Sequence, residues 1–283
     1  MRVTLAGETG LDAAACDRLL SVLAGESVRS APEIVIDLHG ASYIAAYGAA
    51  CLVLIVQHLR QHGTQVACVL PSGQRAREQA VQLGLVSALR PLVELRNVPT
   101  APAPGPEIGL ALSPIAARRD VQAVVSYLVQ QAESRLGFDV GDVLDATKVV
   151  SELCYNVIDH SDSHGLVAAQ VFRSRQGRRV ISLAVVDPGI GIRASLGRRY
   201  QEAERWAHSV AIEQALGGLS SRPSGGGVGL RSVQAVVRRY GGELVIRSGD
   251  ARIVLNADRQ PLALTGTPFV GTQVGINFSQ KVA

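Results

Sequence analysis

A glutamate, an asparagine and a histidine recur at four-residue intervals in a stretch that has the apolar period of a helix. These residues are Glu152, Asn156 and His160. Side chains four residues apart lie on one helix face, so the three form a polar stripe. A carboxylate and a carboxamide one turn apart can hold a metal ion and orient a water molecule. Taken alone, the stripe is more simply explained as a solvated face.

An aspartate follows a nearly all-apolar stretch at 179–186, which we predict to be a strand. Asp187 can accept a hydrogen bond there from the exocyclic amine of a nucleobase. Gly189 and Gly191 follow it and free the backbone to turn against a flat ring. An Asp-x-Gly-x-Gly sequence taken alone is often only a turn.

A glycine-rich sequence, SGGGVGL, precedes a helix predicted over 231–240. Gly225, Gly227 and Gly229 allow backbone N–H groups to approach phosphate oxygens. The helix that starts near Leu230 offers the positive end of its dipole to an anion. The sequence is not a Rossmann fingerprint, because no strand precedes it, and it lacks the Gly-Lys-Ser/Thr ending of a P-loop.

The last such element is Thr272, at the start of a strand predicted over 273–278. Its hydroxyl can reach an adenine edge or a bridging water. The four elements, in this order, resemble the ATP-binding domain shared by sensor histidine kinases, Hsp90, gyrase B and MutL, the GHKL fold. The resemblance covers about residues 115–279. Each motif is weak alone, but the ordered set is specific because helix, strand and loop contexts must all coincide.

The resemblance implies ATP and Mg²⁺ as ligands and a role for each motif. Glu152 would be the general base that polarises the attacking water or hydroxyl, and Asn156 would coordinate Mg²⁺. Asp187 would recognise the adenine amino group. His160 has no fixed catalytic role in the family. The remaining residues would shape the base pocket, cover the phosphates or support the adenine contact: Gly189, Gly191, Gly225, Gly227, Gly229, Leu230 and Thr272.

A proline-rich segment separates this region from the N-terminal third of the chain. Residues 97–107 read NVPTAPAPGPE, with four prolines, a composition that disfavours both helix and sheet pairing. We therefore predict a linker over 97–106, between a domain at 1–96 and a domain at 107–283. In the second domain, helices are predicted over 114–136 and 140–160.

The N-terminal segment alternates strands and helices. Strands are predicted over 33–38 and 64–70, and helices over 49–62 and 72–83. This order argues for an α/β layer fold. The expected fold class of the whole chain is therefore α/β: an N-terminal layer domain, and a C-terminal GHKL-type sandwich whose mixed sheet is covered by helices on one face.

Three short sequences in this segment resemble the STAS domain of anti-sigma-factor antagonists. They are IDL at 36–38, SYIAAYG at 42–48 and REQAVQLGL at 77–85. The STAS family usually has a phosphoacceptor hydroxyl in an Asp-Ser-Ser/Thr-Gly run before the helix. Here Ala45, Ala46 and Tyr47 stand at those positions, so the acceptor is missing.

Composition excludes several function classes. The longest uninterrupted apolar run, at 44–56, covers 13 residues, whereas a membrane-spanning helix needs about 20. The N-terminus has no apolar signal segment, so a cytoplasmic location is expected. The net charge is +4, but the arginines are scattered among acidic residues, which does not favour nucleic acid as a partner.

Three functions remain open. The first is a protein serine/threonine kinase of the bacterial partner-switching type, acting on a STAS-domain antagonist or a sigma-factor regulator. The second is a nucleotide-gated switch whose STAS-like module docks a protein partner. The third is a nucleotide-free scaffold. Residues 193–222 are expected to form a lid or the partner surface, and whether the chain forms a homodimer stays open.

Overall fold

The computed structural model describes residues 1–4, 10–26, 31–98, 109–131, 140–173, 177, 179–221, 229–257 and 259–279. The chain divides into two compact units. One comprises Met1–Leu112 with Ala168–Gln170, and the other comprises Ser113–Val167 with Val171–Ala283. Most of the predicted linker lies outside the described residues. None of the described helices is both long and apolar enough to cross a membrane.

The first unit contains a parallel sheet of four short strands in the order β1-β2-β3-β4. Ile36 lies opposite Cys68 in this sheet, and both are fully buried. Strands buried on both faces are continuous apolar runs, which is why the EIVID and QVACV segments form them. The strands are β1 (Arg2–Thr4), β2 (Glu33–Asp37), β3 (Gln65–Val69) and β4 (Glu94–Arg96), and the helices are α1 (Ala13–Leu23), α2 (Ala46–Gln61), α3 (Gln74–Gln82) and α4 (Leu85–Leu89).

Helix α2 begins at Ala46 rather than at the predicted residue 49. Every residue from Ala46 to Val56 is buried, and Tyr47 is only 7% exposed. A Cβ on Gly48 would lie 2.0 Å from the Leu11 carbonyl oxygen, so the first turn fits only with glycine there. The segment that would carry an acceptor in the STAS family is therefore part of a buried helix.

The second sheet has the strand order β5-β6-β7-β9-β8. Strands β7 and β8 both pair antiparallel with β9. The α/β class predicted for both parts of the chain is confirmed. The strands are β5 (Gly109–Ile115), β6 (Gly165–Arg173), β7 (Arg179–Asp187), β8 (Glu243–Asn256) and β9 (Leu262–Ser279), and the helices are α5 (Arg118–Gln131), α6 (Val140–His160), α7 (Gly191–Gly197), α8 (His208–Gly217) and α9 (Gly229–Arg239).

The helix predicted over 114–136 is wrong at its start. Pro114 belongs to β5, and α5 begins at Arg118. The carboxylate of Asp120 accepts hydrogen bonds from the backbone N–H groups of Ala116 and Ala117, at 2.9 and 2.8 Å. These bonds satisfy donors at the helix entry that have no partner within the helix.

Helix α6 buries its apolar face and is hydrogen-bonded to the residue that follows α9. The apolar face of α6 is buried through Val150 and Leu153, which leaves its polar stripe directed away from the core. At the other end of the pair, the hydroxyl of Tyr240 donates to the carboxylates of Asp142 at 2.6 Å and Asp145 at 3.1 Å. Because Tyr240 directly follows α9, these bonds anchor the end of that helix to the start of α6.

Candidate functional site

An open cleft lies between α6, α7, the first turn of α9 and the strands β7 and β9. The empty space between its walls is about 800 Å³, which includes space open to solvent. Its walls are apolar over much of their area, with polar groups at a few points. Six of the predicted site residues line it: Asn156, Asp187, Gly191, Gly229, Leu230 and Thr272.

One end of the cleft brings together the first and third sequence motifs. A Cβ on Gly229 would lie 2.7 Å from the Glu152 Oε2 and 3.8 Å from the Asn156 Nδ2. A side chain at residue 229 would therefore displace the Glu152 carboxylate. The first N–H groups of α9 have no intrahelical partner, and the start of this helix favours negatively charged groups.

Asp187 lies at the opposite end, where β7 ends, and is 5% exposed. Its carboxylate accepts hydrogen bonds from the backbone N–H of Gly189 at 2.8 Å and from that of Thr272, its neighbour across the β7–β9 pair. Burial raises the pKa of Asp187 to about 6, and the two backbone bonds lower the pKa in part. Above about pH 6 the ionised form, a hydrogen-bond acceptor, predominates.

Two glycines bring the backbone close to this carboxylate. A Cβ on Gly189 would lie 2.1 Å from the Ser161 carbonyl oxygen. Gly271 has a φ of +72°, and a Cβ there would lie 1.8 Å from the Asp187 carbonyl oxygen. Only glycine fits at either position. The end of the cleft around Asp187 is thus formed by backbone packed against backbone.

The donor set fits Mg²⁺ held mainly by a nucleotide. No group of three or more His, Cys, Asp or Glu side chains within the described residues could hold a metal ion. Mg²⁺ is commonly bound through one or two protein ligands together with phosphate oxygens and waters. Asn156, placed beside the start of α9, matches that requirement.

Gly225 and Gly227 of the predicted phosphate lid lie outside the described residues. The segment predicted as the lid, 193–222, is described as far as Ser221. It contains α7, a 3₁₀ turn at Gln201–Arg205 and α8. These elements share a small buried cluster around Leu196 and Ala211, against which Trp206 packs. The described part of the segment is therefore a packed layer.

Sequence reasoning missed several serines of the site. The Ser248 hydroxyl accepts from the Ile192 N–H at 2.9 Å and donates to the Gly271 carbonyl at 3.2 Å. Ser195 and Ser221 line the cleft and are linked to His160. These serines follow no periodic spacing, and only the position of Ser221 just before the glycine-rich motif could have indicated one of them.

A family match covers the C-terminal part of the chain. Residues 141–274 match the family model described as histidine kinase-, DNA gyrase B-, and HSP90-like ATPase. The matched range contains all four sequence motifs and is slightly less than half of the chain. It does not include the N-terminal segment, for which the STAS resemblance stays a prediction.

Among solved structures, the mycobacterial sensor histidine kinase MprB is similar at 18% sequence identity. The similarity covers 60% of this chain and 100% of that chain, with a TM-score of 0.30. A TM-score of this size does not establish a common overall shape. A comparison with curated proteins found no match. On the family match, residues 141–274 are a domain of the histidine kinase-, DNA gyrase B- and HSP90-like ATPase family.

Proposed function

We propose that this chain is an ATP- and Mg²⁺-binding regulatory protein of the bacterial partner-switching type, which phosphorylates a serine or threonine of a separate protein. The observation that carries the proposal is that Asn156, Gly229 and Asp187 line one cleft, with the Glu152 carboxylate beside Gly229. A domain of this ATPase family implies ATP binding. The cleft offers a group for each part of that ligand.

The adenine base would lie at the end of the cleft that contains Asp187. The buried carboxylate accepts the adenine amine, whereas guanine presents a carbonyl oxygen at the same ring position. That oxygen would face an ionised carboxylate without a proton between them, which is costly in a buried site. The end around Asp187 therefore favours ATP over GTP.

The phosphates would lie at the Glu152 end. The N–H groups at the start of α9 would donate hydrogen bonds to phosphate oxygens, and Asn156 would contribute a ligand to Mg²⁺. When bound, Mg²⁺ would neutralise charge on the phosphate oxygens. Glu152 would take the proton of the attacking hydroxyl while the oxygen forms its bond to the γ-phosphorus, and ADP leaves as that phosphorus loses its bridging oxygen.

The phosphoacceptor is placed in a separate partner because this chain offers none at the STAS-like position. Ala45 and Ala46 have no hydroxyl, and Tyr47 is buried in the first turn of α2. The partner class that fits is a STAS-domain antagonist or a sigma-factor regulator whose acceptor serine or threonine is exposed.

A nucleotide-gated binding switch is the second candidate. In this function ATP is bound and hydrolysed slowly or not at all, and the N-terminal module docks the partner. The missing acceptor at residues 45–47 favours it, because a module that is never phosphorylated can serve as a permanent docking surface. Such a switch requires that the partner bind the nucleotide-bound and nucleotide-free states with different affinities.

One experiment separates the two functions. The full chain is incubated with γ-labelled ATP and Mg²⁺, with and without cell lysate, and label is measured on protein and in free phosphate. Transfer to a lysate protein that Glu152→Ala abolishes, and that the exposed control Glu213→Ala retains, supports the kinase. ATP binding without transfer or hydrolysis supports the switch. A full chain that does not bind ATP would contradict both.

A further inference from the structure

Three polar side chains form a hydrogen-bonded relay in the wall of the cleft. The Nδ1 of His160 lies 2.8 Å from the Ser221 hydroxyl, which lies 3.1 Å from the Ser195 hydroxyl. All three residues line the cleft. They come from the end of α6, the segment after α8 and α7, so three separate elements meet at this point. Neither the base end nor the phosphate end of the proposed site uses them.

The position of the relay follows from α6. A helix rises about 1.5 Å per residue, so His160 lies about 6 Å beyond Asn156 along the axis. Asn156 is beside Gly229, at the phosphate end. One residue beyond His160, the Ser161 carbonyl packs against Gly189, next to the Asp187 carboxylate at the base end. The relay therefore lies between the two ends of the cleft.

The cleft around the relay is lined by apolar and polar side chains. Leu153, Val157, Leu196 and Leu219 contribute apolar surface, and Ser161 and Ser220 are further serines of the lining. Ser195 is 7% exposed. A serine hydroxyl can donate one hydrogen bond and accept two, so Ser195 keeps capacity for a ligand while bonded to Ser221.

In a nucleoside triphosphate, the sugar joins the base to the phosphates and carries hydroxyl groups. We infer that the relay of His160, Ser221 and Ser195 binds the ribose hydroxyls, and that this subsite makes the protein select ribonucleotides over deoxyribonucleotides. The inference rests on the proposed ATP binding and adds the sugar to it. Both the position along α6 and the hydrogen-bonding capacity of the serines match a ribose.

Calorimetry on the full chain tests the subsite with Mg²⁺ and three ligands: ATP, 2′-deoxy-ATP and 3′-deoxy-ATP. The wild type should bind ATP about 3- to 10-fold more tightly than at least one deoxy analogue, the effect of one neutral hydrogen bond. Ser221→Ala should weaken ATP binding by a similar factor and leave the affinity for that analogue unchanged. The ratio of the two affinities should therefore fall to about one.

Ser163→Ala is the matched control, because that hydroxyl lies in the loop after α6 and outside the cleft lining. It should keep the wild-type ratio. Circular dichroism checks the fold of each variant, and Ser195→Ala replaces Ser221→Ala if the latter does not fold. A wild type that binds ATP and both analogues equally, or a folded Ser221→Ala with an unchanged ratio, would overturn the ribose subsite alone. A wild type that binds none of the three would overturn the proposed function as well.

Discussion

Asp187 is buried, and its carboxylate would bind the proposed ligand in the charged form. The carboxylate is 5% exposed, and its two backbone donors, Gly189 and Thr272, offset only part of the cost of its burial. In the free protein, burial therefore makes the charged form of Asp187 less stable than it would be in water. An adenine amine would supply a further donor to that carboxylate. Ionised Asp187 is thus a cost to folding, and under the proposed function nucleotide binding would reduce that cost.

Removing the carboxylate of Asp187 should remove most of the affinity for ATP. Asp187→Ala would leave the adenine amine without its acceptor in a buried part of the cleft, a loss of about 1.5 to 3 kcal/mol, or about 10- to 100-fold in affinity. Calorimetry with ATP and GTP measures this loss and the preference between the bases. Asp162→Ala, which removes an exposed carboxylate, is the control. Unchanged ATP affinity in Asp187→Ala would remove the adenine-reading role.

The same residue should make stability depend on pH. Its pKa is about 6 in the folded state against an ordinary value of 3.8, so the folded state binds this proton more tightly. The stabilisation that the protonated form of Asp187 gives the folded state is therefore complete below about pH 4. It is lost as the pH rises to about 6. Asp187→Asn cannot ionise. The unfolding free energy of Asp187→Asn minus that of the wild type, measured by urea titration, should therefore increase by about 1 kcal/mol between pH 5 and pH 7. A difference that is independent of pH would contradict the raised pKa.

Glu152 and Asn156 should differ in what they contribute. Glu152→Ala should bind ATP almost as the wild type does but lower turnover by about 10²- to 10⁴-fold, because a general base acts mainly in the transition state. Asn156→Ala should instead weaken the Mg²⁺-dependent part of binding. Rates of phosphate release and transfer, measured alongside affinities with and without Mg²⁺, separate the two. A wild-type rate in Glu152→Ala would show that the catalytic assignment is wrong.

At the scale of elements, α6 and α9 position the proposed phosphate-binding end of the cleft. Helix α6 carries the polar stripe, and α9 presents its first residue, Gly229, to that stripe. The far ends of the two helices are joined by Tyr240, whose hydroxyl donates to Asp142 and Asp145. Arg239 also pairs with Asp145 at 2.7 Å. The geometry at Gly229 therefore depends on contacts at the opposite end of α9.

Removing the Tyr240 hydroxyl should destabilise this helix pair. In Tyr240→Phe the buried carboxylate of Asp142, which is 3% exposed, loses its 2.6 Å donor. The expected loss is about 1 to 3 kcal/mol in the free energy of unfolding, measured by urea titration at neutral pH. Tyr200→Phe is the control, since that residue packs in the α7–α8 layer. Equal stabilities of the two variants would show that the anchor contributes little.

Much of the fold follows from local patterns, and the departures have local causes. Apolar runs and periodicity were enough to predict α6 and, to within one residue at each end, β2, β3 and β7. The start of α2 was predicted too late, because Ala45 carries no capping side chain and its N–H instead donates to the distant Leu11 carbonyl. The strands β8 and β9 extend beyond the predicted ranges through a register shift around Gly249. That irregularity depends on pairing between distant residues, which a single sequence does not show.

The candidate site also contains some residues that the sequence predicts and others that it does not. Its glycines and acidic residues were predicted because each lies in a motif with a fixed order along the chain. The relay of Ser195 and Ser221 was not predicted, because it exists only where separate elements meet. A serine within an amphipathic segment has no spacing that distinguishes a binding group from a surface group.

At the scale of the whole molecule, the two compact units differ in which chemistry they offer. The second unit holds the cleft, whereas the first presents a buried helix start where its resemblance would place a phosphoacceptor. A γ-phosphate can be transferred only to an oxygen held within about 3 to 3.5 Å. The Tyr47 side chain is 7% exposed and cannot meet that condition without movement of α2.

Self-phosphorylation in this region should therefore not occur. After prolonged incubation of the full chain with ATP and Mg²⁺, mass spectrometry of the peptide containing residues 42–48 should show no phosphate. A phosphorylated partner protein in the same digest would serve as the positive control. Stoichiometric phosphate on Ser42 or Tyr47 would contradict the docking role of this unit and would indicate a phospho-switch within the chain.

The space that Gly229 leaves beside Glu152 has an evolutionary consequence. A Cβ at residue 229 would lie 2.7 Å from the Glu152 Oε2, so a side chain there would force the flexible end of Glu152 to move. The two positions are far apart in the sequence but are neighbours in space. In related chains that use a glutamate at residue 152 as the proposed base, glycine should therefore be favoured at residue 229.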